Sequence, residues 1–166
     1  LGVSGGWNPS VHLTCHMGGR PVWNEWLAAF LPRDGAVPGL TVAGAAKGAF
    51  STAACLQDGA EAGRAAAGGS QLPALPDAEH ADYRLKQLWA VEGKGRAWLD
   101  FQNDVTVKDV KLAAQENYRS VEHMKRYTTQ GMAPDQGKNS NVAALAILAD
   151  ATGRDIPETG TTTFRP

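Results

Sequence analysis

From about residue 104 onward the chain carries helix start and stop signals at short intervals, and these restrict its fold more than any other feature. Thr106 followed three positions later by Asp109 predicts a helix that begins with a capping-box-like arrangement. Ser120 predicts the start of a second helix, and Gly131 is expected to end that helix in the left-handed conformation that glycine adopts readily. The sequence therefore predicts a small, mainly helical module in the second half of the chain.

The expected core residues of this module recur at helical spacing. In the first two helices they are Val107, Val110, Ala114, Val121, Met124 and Thr128. A third helix is predicted from residues 139–140 to Gly153, and it carries the strongest apolar stripe of the chain. The residues of that stripe are Val142, Leu145, Ile147 and Leu148. The tail from residue 158 onward is polar and threonine-rich, so we expect it to contribute little to a core.

Residues 1–68 are rich in glycine, alanine and valine, and alternating strands and helices are predicted for them. A strand is predicted at residues 1–4 and a tight turn at residues 5–6. A short helix is predicted to start at residues 7–9, where Pro9 suits the first turn.

A second short strand is predicted at residues 41–43, and a glycine-rich turn follows it. A helix is predicted from Ser51 to Ala67. Gly59 and Gly63 lie on one face of this helix, which permits close approach to a neighbouring sheet.

The middle of the chain separates these two regions. Residues 69–83 are rich in glycine, proline and acidic side chains and are predicted to be a linker. Residues 88–91 and 96–99 flank a glycine-containing turn at 92–95, which predicts a β-hairpin.

The composition argues against several classes of protein. The formal net charge of −1 argues against a general nucleic-acid binder or a binder of anionic membranes. No apolar run approaches the roughly 18 residues of a membrane span, and no secretory signal is present. Cys15 and Cys55 form neither a zinc pattern nor a disulfide framework, so a reduced, cytoplasmic location is expected. The chain begins at Leu1 without an initiator methionine, so we expect its natural targeting information to be missing from the sequence.

Individual side chains give no strong sign of catalysis. His12 and His16 have the spacing of a helical metal pair, but no third ligand stands at matching spacing, so ordinary polar histidines are expected. The two cysteines lack an adjacent histidine or basic helix start, and we interpret both as small apolar fillers. The sequence predicts no catalytic residue and no metal site.

Residues 43–50 give a weak indication of a nucleotide-binding turn. A strand, a glycine-rich turn and a helix place a helix N-terminus against a phosphate or a polar nucleotide group. Such turns also occur for packing reasons, and the G-x-G-x-x-G fingerprint is absent. Flavoproteins of the disulfide-reductase type often carry a Gly-Asp pair here, whereas this chain has Gly44-Ala45, so a conventional FAD contact is not expected.

The segment 100–140 resembles a small helical module that holds a [2Fe–2S] cluster in many flavin dehydrogenase subunits. The resemblance is carried by Val105-Thr106 at a helix start and by Gly131-Met132 in the turn before the third helix. It places the four cluster-ligand positions at Asp100, Gln102, Asp135 and Ser140. None of them is a cysteine, and a cluster needs four thiolates or close substitutes. The resemblance therefore implies the architecture of the module without its cluster.

Together with the opening SGGWNPSVHLTCHMGG and the ending GKNSNVAALAILADATGRDIPETGTTTFRP, this segment resembles the α subunit of heterotetrameric sarcosine oxidase. The implied fold is an α/β fragment like FAD- and NAD-binding domains, followed by a cluster-free, mainly helical [2Fe–2S]-domain-like module. The implied domains are the end of an NAD-binding domain at 1–68, the linker at 69–83, a hairpin plus a module like bacterioferritin-associated ferredoxin at 84–157, and the start of a folate-binding, aminomethyltransferase-like region at 158–166.

The resemblance also implies cofactors and partners. A noncovalent NAD would contact Gly44, Ala45, Phe50 and Thr52. An FMN held by the β subunit would lie near His123, Lys125, Arg126, Thr128, Thr129 and Gly137, although a solvated basic helix end explains these residues equally well. The β subunit would carry out amine oxidation with FAD and FMN, γ and δ subunits would complete the oxidase, and this segment alone would be inactive.

Two alternatives stay open. One is a subunit fragment of a related dehydrogenase that acts on proline, octopine, glycine or another amine. The other is a helical protein-interaction module. The helix spacing also resembles that of a DNA-binding motif, but the acidic residues Asp104, Asp109, Glu116 and Glu122 oppose duplex binding, which depends on neutralising phosphates.

Overall fold

The computed structural model describes residues 7–161, so the strand predicted at 1–4 and the turn at 5–6 lie outside the described part. The chain divides into two compact units, Leu1–Lys86 and Gln87–Pro166, and each is described by itself. Helices and a few short strands occur together, as a mixed fold requires. None of the helices in the described part is long and apolar enough to cross a lipid bilayer.

The first unit begins with a 3₁₀ helix at His12–Thr14, so the helix predicted at residues 7–9 is wrong. Strands β1 (Val22–Asn24) and β2 (Ala29–Leu31) then form an antiparallel hairpin that the sequence analysis did not predict. Its turn depends on a side chain, since the Leu27 backbone N–H donates to Asn24 Oδ1 at 3.0 Å. Asparagine is a common turn residue for this reason.

A second 3₁₀ helix, Gly44–Lys47, precedes helix α1 (Thr52–Ala66). The strand predicted at residues 41–43 is wrong, because these residues lie next to no strand in the described part and run directly into the 3₁₀ helix. An isolated extended segment has no partner for its backbone groups and so is not a strand. The predicted helix after it is confirmed, and Ser51 caps it by accepting a hydrogen bond from the Ala54 N–H at 3.2 Å.

The glycine face of α1 does not pack against a sheet within this chain. A Cβ atom added at Gly59 or Gly63 would meet no other atom within 4 Å. The predicted linker instead returns to the start of α1, where the Ala53 N–H donates to the Glu79 carbonyl at 3.1 Å. His80 and Ser51 form a hydrogen bond of 3.3 Å at the same helix end. Part of the predicted linker is therefore attached to the first unit.

In the second unit the short strands pair differently from the prediction. Strand β3 (Trp98–Asp100) pairs antiparallel with β4 (Val105–Thr106), and the hairpin predicted across 88–99 is wrong. Residues 88–91 form no strand, and Leu88 and Val91 stay exposed. The pairing that forms is closed by Asp100, whose Oδ1 accepts hydrogen bonds from the N–H groups of residues 102 and 103. An aspartate turn therefore replaces the expected glycine turn.

Four helices follow these strands: α2 (Val107–Gln115), α3 (Val121–Thr128), α4 (Asn141–Thr152) and α5 (Ile156–Thr159). The predicted capping residue of α2 is confirmed, because the Thr106 N–H donates to Asp109 Oδ2 at 2.8 Å. The cap of α3 is also confirmed, since the His123 N–H donates to Ser120 Oγ at 3.3 Å. The predicted end at Gly131 is wrong, because Thr129 already adopts the left-handed conformation that ends α3.

Helix α4 forms the centre of the second unit and contacts α2 and α5. Its residues 144–149 are all buried, as expected of a helix that is apolar on every side. The predicted core residues Leu145, Ile147, Leu148, Val110, Val121 and Met124 are buried. In α2 the second buried residue is Ala113, whereas the predicted Val107 and Ala114 are half-buried.

The beginning of the predicted tail has more structure than expected. Helix α5 begins with Asp155 and Glu158 in a capping box, and Pro157 lies in its first turn. Thr159 is buried, so residues just after 157 do contribute to the core of the unit.

Candidate functional site

The candidate nucleotide turn is held by a carboxylate that the sequence analysis missed. Asp58, in α1, accepts a hydrogen bond from the Gly44 N–H at 2.6 Å through Oδ2. Its other oxygen accepts from Lys47 Nζ at 3.1 Å. The turn that lacks an aspartate in its Gly44-Ala45 pair thus receives a carboxylate from the following helix. No sequence signal marks this contact, because the two residues lie 14 positions apart.

These contacts fix the charges of the pair. The Gly44 N–H and the Lys47 ammonium hold the pKa of Asp58 below its ordinary value, with the backbone hydrogen bond as the largest cause. The same carboxylate raises the pKa of Lys47 above its ordinary value, first through the hydrogen bond and then through charge attraction. Both groups are therefore charged at neutral pH.

The residues expected to contact NAD lie on one continuous segment around this turn. Ala45 and Thr52 are exposed, whereas Gly44 and Phe50 are half-buried. Gly44 has a φ of +66°, and a Cβ added to it would lie 3.7 Å from Cys55 Sγ on α1. The Phe50 ring packs on Tyr83, with 4.4 Å between ring centroids.

The start of α1 is less open to a ligand than the sequence suggests. Two of its first-turn donors already have partners, since the Ala53 N–H donates to the Glu79 carbonyl and the Ala54 N–H donates to Ser51 Oγ. A phosphate that used either donor would have to displace its partner. The exposed side chains around the turn therefore offer the better contacts for an anionic ligand.

His16 and the two cysteines of the first unit have structural partners. His16 Nδ1 lies 2.6 Å from the Leu13 carbonyl oxygen. The thiols of Cys15 and Cys55 donate to the backbone carbonyls of Val11 and Ala49 at 3.3 and 2.8 Å. Across residues 7–161 no group of three histidine, cysteine, aspartate or glutamate side chains is arranged to hold a metal ion.

In the second unit, the four positions that the resemblance assigns to cluster ligands each take part in a hydrogen bond. The Asp100 side chain is buried, with 3% of its surface exposed. Its Oδ2 accepts a hydrogen bond from the Gly131 N–H at 2.9 Å. Its Oδ1 accepts from the N–H groups of Gln102 and Asn103 at 2.9 and 3.3 Å. One carboxylate thereby ties the β3–β4 turn to the loop before α4.

The other two positions stabilise that loop from inside. Asp135 Oδ1 accepts a hydrogen bond from the Gly137 N–H at 3.1 Å. The buried Ser140 hydroxyl accepts from Gln130 Nε2 at 2.7 Å. Gly131 and Gly137 both have positive φ and lie against the Asn141 side chain, which a Cβ atom at either glycine would overlap. The polar and glycine residues thus fill the space between the loops.

The residues expected near FMN fall into two groups. His123, in the first turn of α3, is exposed, as are Arg126 and Thr129 at the C-terminal end of the helix, whereas Lys125 is half-buried. Arg126 Nη1 binds both the Glu122 carbonyl at 2.7 Å and its carboxylate at 3.2 Å.

The remaining two members of that set are engaged within the unit. The Thr128 hydroxyl donates to the Met124 carbonyl at 2.9 Å, and the Gly137 N–H has the aspartate partner already described. The structure therefore places three of the six residues, Lys125, Arg126 and Thr129, at the C-terminal end of α3.

Comparison with known proteins decides the relationship that these features suggest. Residues 94–166 match the family model of the sarcosine oxidase A3 domain. Over 173 aligned residues the chain is 47% identical to sarcosine oxidase subunit alpha from Rhizobium meliloti (strain 1021). The chain is a homologue of sarcosine oxidase alpha subunits. The resemblance inferred from the sequence is confirmed.

Two further alpha subunits of sarcosine oxidase, from Corynebacterium strains P-1 and U-96, are 40% and 38% identical over 99% of the chain. The chain spans 17% of the length of the Rhizobium subunit and 18% of each Corynebacterium subunit. All three relatives are named as subunits of an enzyme, so the expectation that this segment corresponds to part of an enzyme is also confirmed.

Proposed function

We propose that this chain is part of the alpha subunit of a cytoplasmic sarcosine oxidase, which oxidatively demethylates sarcosine to glycine with formation of hydrogen peroxide. The observation that carries the proposal is the 47% identity to sarcosine oxidase subunit alpha across the whole chain. Amine oxidation would take place on a flavin-bearing β subunit, and γ and δ subunits would complete the complex. The segment described here would supply no catalytic side chain.

The first unit would form part of a noncovalent NAD site, as the end of an NAD-binding α/β domain. Support comes from the turn at Gly44, whose N–H donates to Asp58 and which leaves the neighbouring Ala45 and Thr52 exposed. Ala45 has no bulky side chain and would allow a ligand close to the backbone, whereas Thr52 offers a hydroxyl. Phe50 would contribute an apolar wall.

The second unit would contact FMN at the boundary with the β subunit and help to dock the subunits. The exposed end of α3 supports this role, because Lys125, Arg126 and the Thr129 hydroxyl are of the types that bind a flavin phosphate. The network around Asp100 would keep this unit folded in the absence of an iron–sulfur cluster. Nearby, Phe101 and Met132 are 78% and 58% exposed and are suited to burial in an interface.

Production of the complete protein together with its β, γ and δ partners tests the proposal. We expect a copurifying complex with a flavin absorption spectrum and peroxide formation when sarcosine is added. Proline, octopine and glycine serve as comparison substrates, since a faster reaction with any of them would favour the related dehydrogenases instead. A complex that assembles and contains flavin but does not oxidise sarcosine would contradict the assignment.

The two cofactor roles are tested on the same complex. Exchange of Lys125 and Arg126 for glutamine is expected to lower the FMN content without changing the NAD content, because these cations lie on the second unit. The matched control is Lys111→Gln, which removes an exposed cation from α2 of the same unit. Equal FMN occupancy in all variants would show that the end of α3 does not hold the flavin.

A further inference from the structure

A cavity of about 660 Å³ opens in the second unit between residues 90–97, which form no helix or strand, and the beginning of α2. Its lining carries charges of both signs in equal number. The cations are Arg96, Lys108 and Lys111, and the carboxylates are Glu92, Asp104 and Asp109. Because the charges of the lining balance, it favours neither an anion nor a cation, and a ligand that carries both charges meets a partner for each.

Most of these charges are not paired with one another. The Asp109 carboxylate is engaged, since its Oδ2 accepts hydrogen bonds from the Thr106 N–H at 2.8 Å and from the Thr106 hydroxyl at 2.7 Å. In the part of the chain that the structure describes, the two ion pairs lie elsewhere. Arg96 is nevertheless oriented, because its guanidinium carbon lies 5.6 Å from the centroid of the Trp98 ring. The cavity therefore presents unpaired charges of both signs that a single ligand can bridge.

Apolar side chains line the same cavity. Val91 is 68% exposed, and Val107 in the first turn of α2 is half-buried. Small-molecule sites of this size combine apolar walls with a few polar groups that fix the orientation of the ligand. An aliphatic group that covers Val91 would remove apolar surface from water, which is a favourable contribution separate from that of the charges. The lining therefore suits a ligand with both charges and an apolar part.

We propose that this cavity binds a zwitterionic amino acid with an apolar side chain. Lys108 and Arg96 contact the carboxylate through charge-assisted hydrogen bonds, and Glu92 contacts the ammonium group. Val91 covers the aliphatic side chain. The positive end of the α2 dipole lies beside Lys108 and also favours the carboxylate on this side of the cavity. The inference goes beyond the oxidase assignment, because it concerns a separate binding site of the second unit and no step of amine oxidation.

Calorimetric titration of the complete protein with L-leucine and two related compounds tests the proposal. Isocaproate is leucine without the amino group, and isoamylamine is leucine without the carboxylate. Leucine should bind more tightly than either of them, and more tightly than glycine, which has both charges but no apolar side chain.

Two substitutions separate the charge contacts. Lys108→Gln should weaken the binding of leucine and isocaproate about threefold, the effect of one exposed charge contact, and should not weaken that of isoamylamine. Glu92→Gln should weaken the binding of leucine and isoamylamine by a similar factor and should not weaken that of isocaproate. Lys108→Arg should retain most of the affinity for leucine.

The matched control is Lys94→Gln, which removes an exposed cation of residues 90–97 that does not line the cavity. A circular dichroism melt of each variant shows whether it is folded. Isocaproate binding as tight as that of leucine would reveal a simple anion site and overturn the proposal. An equal loss of leucine affinity in Lys94→Gln and Lys108→Gln would also overturn it, because the loss would then follow the overall charge. Absence of leucine binding to the wild type at millimolar concentration would do the same, and none of these results bears on sarcosine oxidation.

Discussion

Replacement of Asp100 by asparagine tests whether a single carboxylate holds the loops of the second unit together. The side chain is 3% exposed and accepts three backbone N–H groups, one of them from Gly131 in a distant loop. Asparagine keeps the size of the side chain but turns one acceptor into a donor. If the remaining oxygen of the substituted side chain keeps accepting from the β3–β4 turn, the NH₂ group of that side chain faces the buried Gly131 N–H. Two hydrogen-bond donors then face each other, and the Gly131 N–H has no acceptor.

The expected cost follows from these contacts. Loss of a charged acceptor for a buried N–H costs about 2–3 kcal/mol, because that donor has been removed from water. The N–H groups of Gln102 and Asn103 keep their acceptor and therefore add little to the free-energy cost of the substitution. Since about 1.4 kcal/mol corresponds to a factor of ten, Asp100→Asn should speed amide exchange at Gly131 roughly 30-fold or more. Asp100→Ala, which removes all three contacts, should cost about 3–5 kcal/mol.

Amide hydrogen exchange followed by mass spectrometry measures this effect in the loop itself, which is preferable to a global melt for a chain with two units. Peptides that span 98–106 and 128–141 should lose protection together. The control is Asp104→Asn, because residue 104 is exposed with a φ of +54°, which asparagine tolerates, and the cost should stay below about 0.5 kcal/mol. Exchange at Gly131 within about twofold of the wild type in Asp100→Asn would refute the argument.

Three further outcomes are expected. Gly137→Ala should destabilise the second unit by about 3 kcal/mol or more, because the new Cβ would overlap the Asn141 side chain. Gly153→Ala, also at positive φ but in open space, should cost about 1 kcal/mol. Denaturant titration of both variants measures the difference. The pKa of Asp58 is lowered on folding, so its contribution to the stability of the fold is present above the ordinary pKa of 3.8 and is lost as the pH falls through the lower folded pKa. The amide resonance of Gly44 should shift in that acid range, and an unchanged resonance would contradict the contact. The hydrogen bond to Glu116 raises the pKa of Tyr127. Ultraviolet titration should therefore show the Tyr127 phenol ionising at higher pH in the wild type than in the Glu116→Gln variant, and identical titration curves would exclude the bond.

The helix boundaries could be predicted where they depend on neighbouring residues. Thr106, Ser120 and Gly153 act as caps through contacts within a few positions, which a sequence displays directly. The end of α3 was misplaced because Gly131 lies beyond the helix and is needed for loop packing instead. It needs positive φ and the absence of a Cβ to pack against Asn141, and Thr129 ends the helix.

The short strands and the two carboxylate contacts could not be predicted, for different reasons. Hairpin β1–β2 consists of three-residue strands, too short to show alternation. Asp58 meets Gly44 across 14 residues, and Asp100 meets Gly131 across 31. The glycine-rich turn at 43–50 was visible in the sequence, whereas its expected NAD contacts rest on the resemblance. The aspartate that holds the turn was not visible, because it lies 14 residues from Gly44.

The buried aspartate at position 100 also bears on how such a module can evolve. A first mutation to cysteine there would abolish the link to Gly131 long before three other thiols were available to bind iron. Every intermediate sequence would be less stable and still free of metal, so selection would act against the first step.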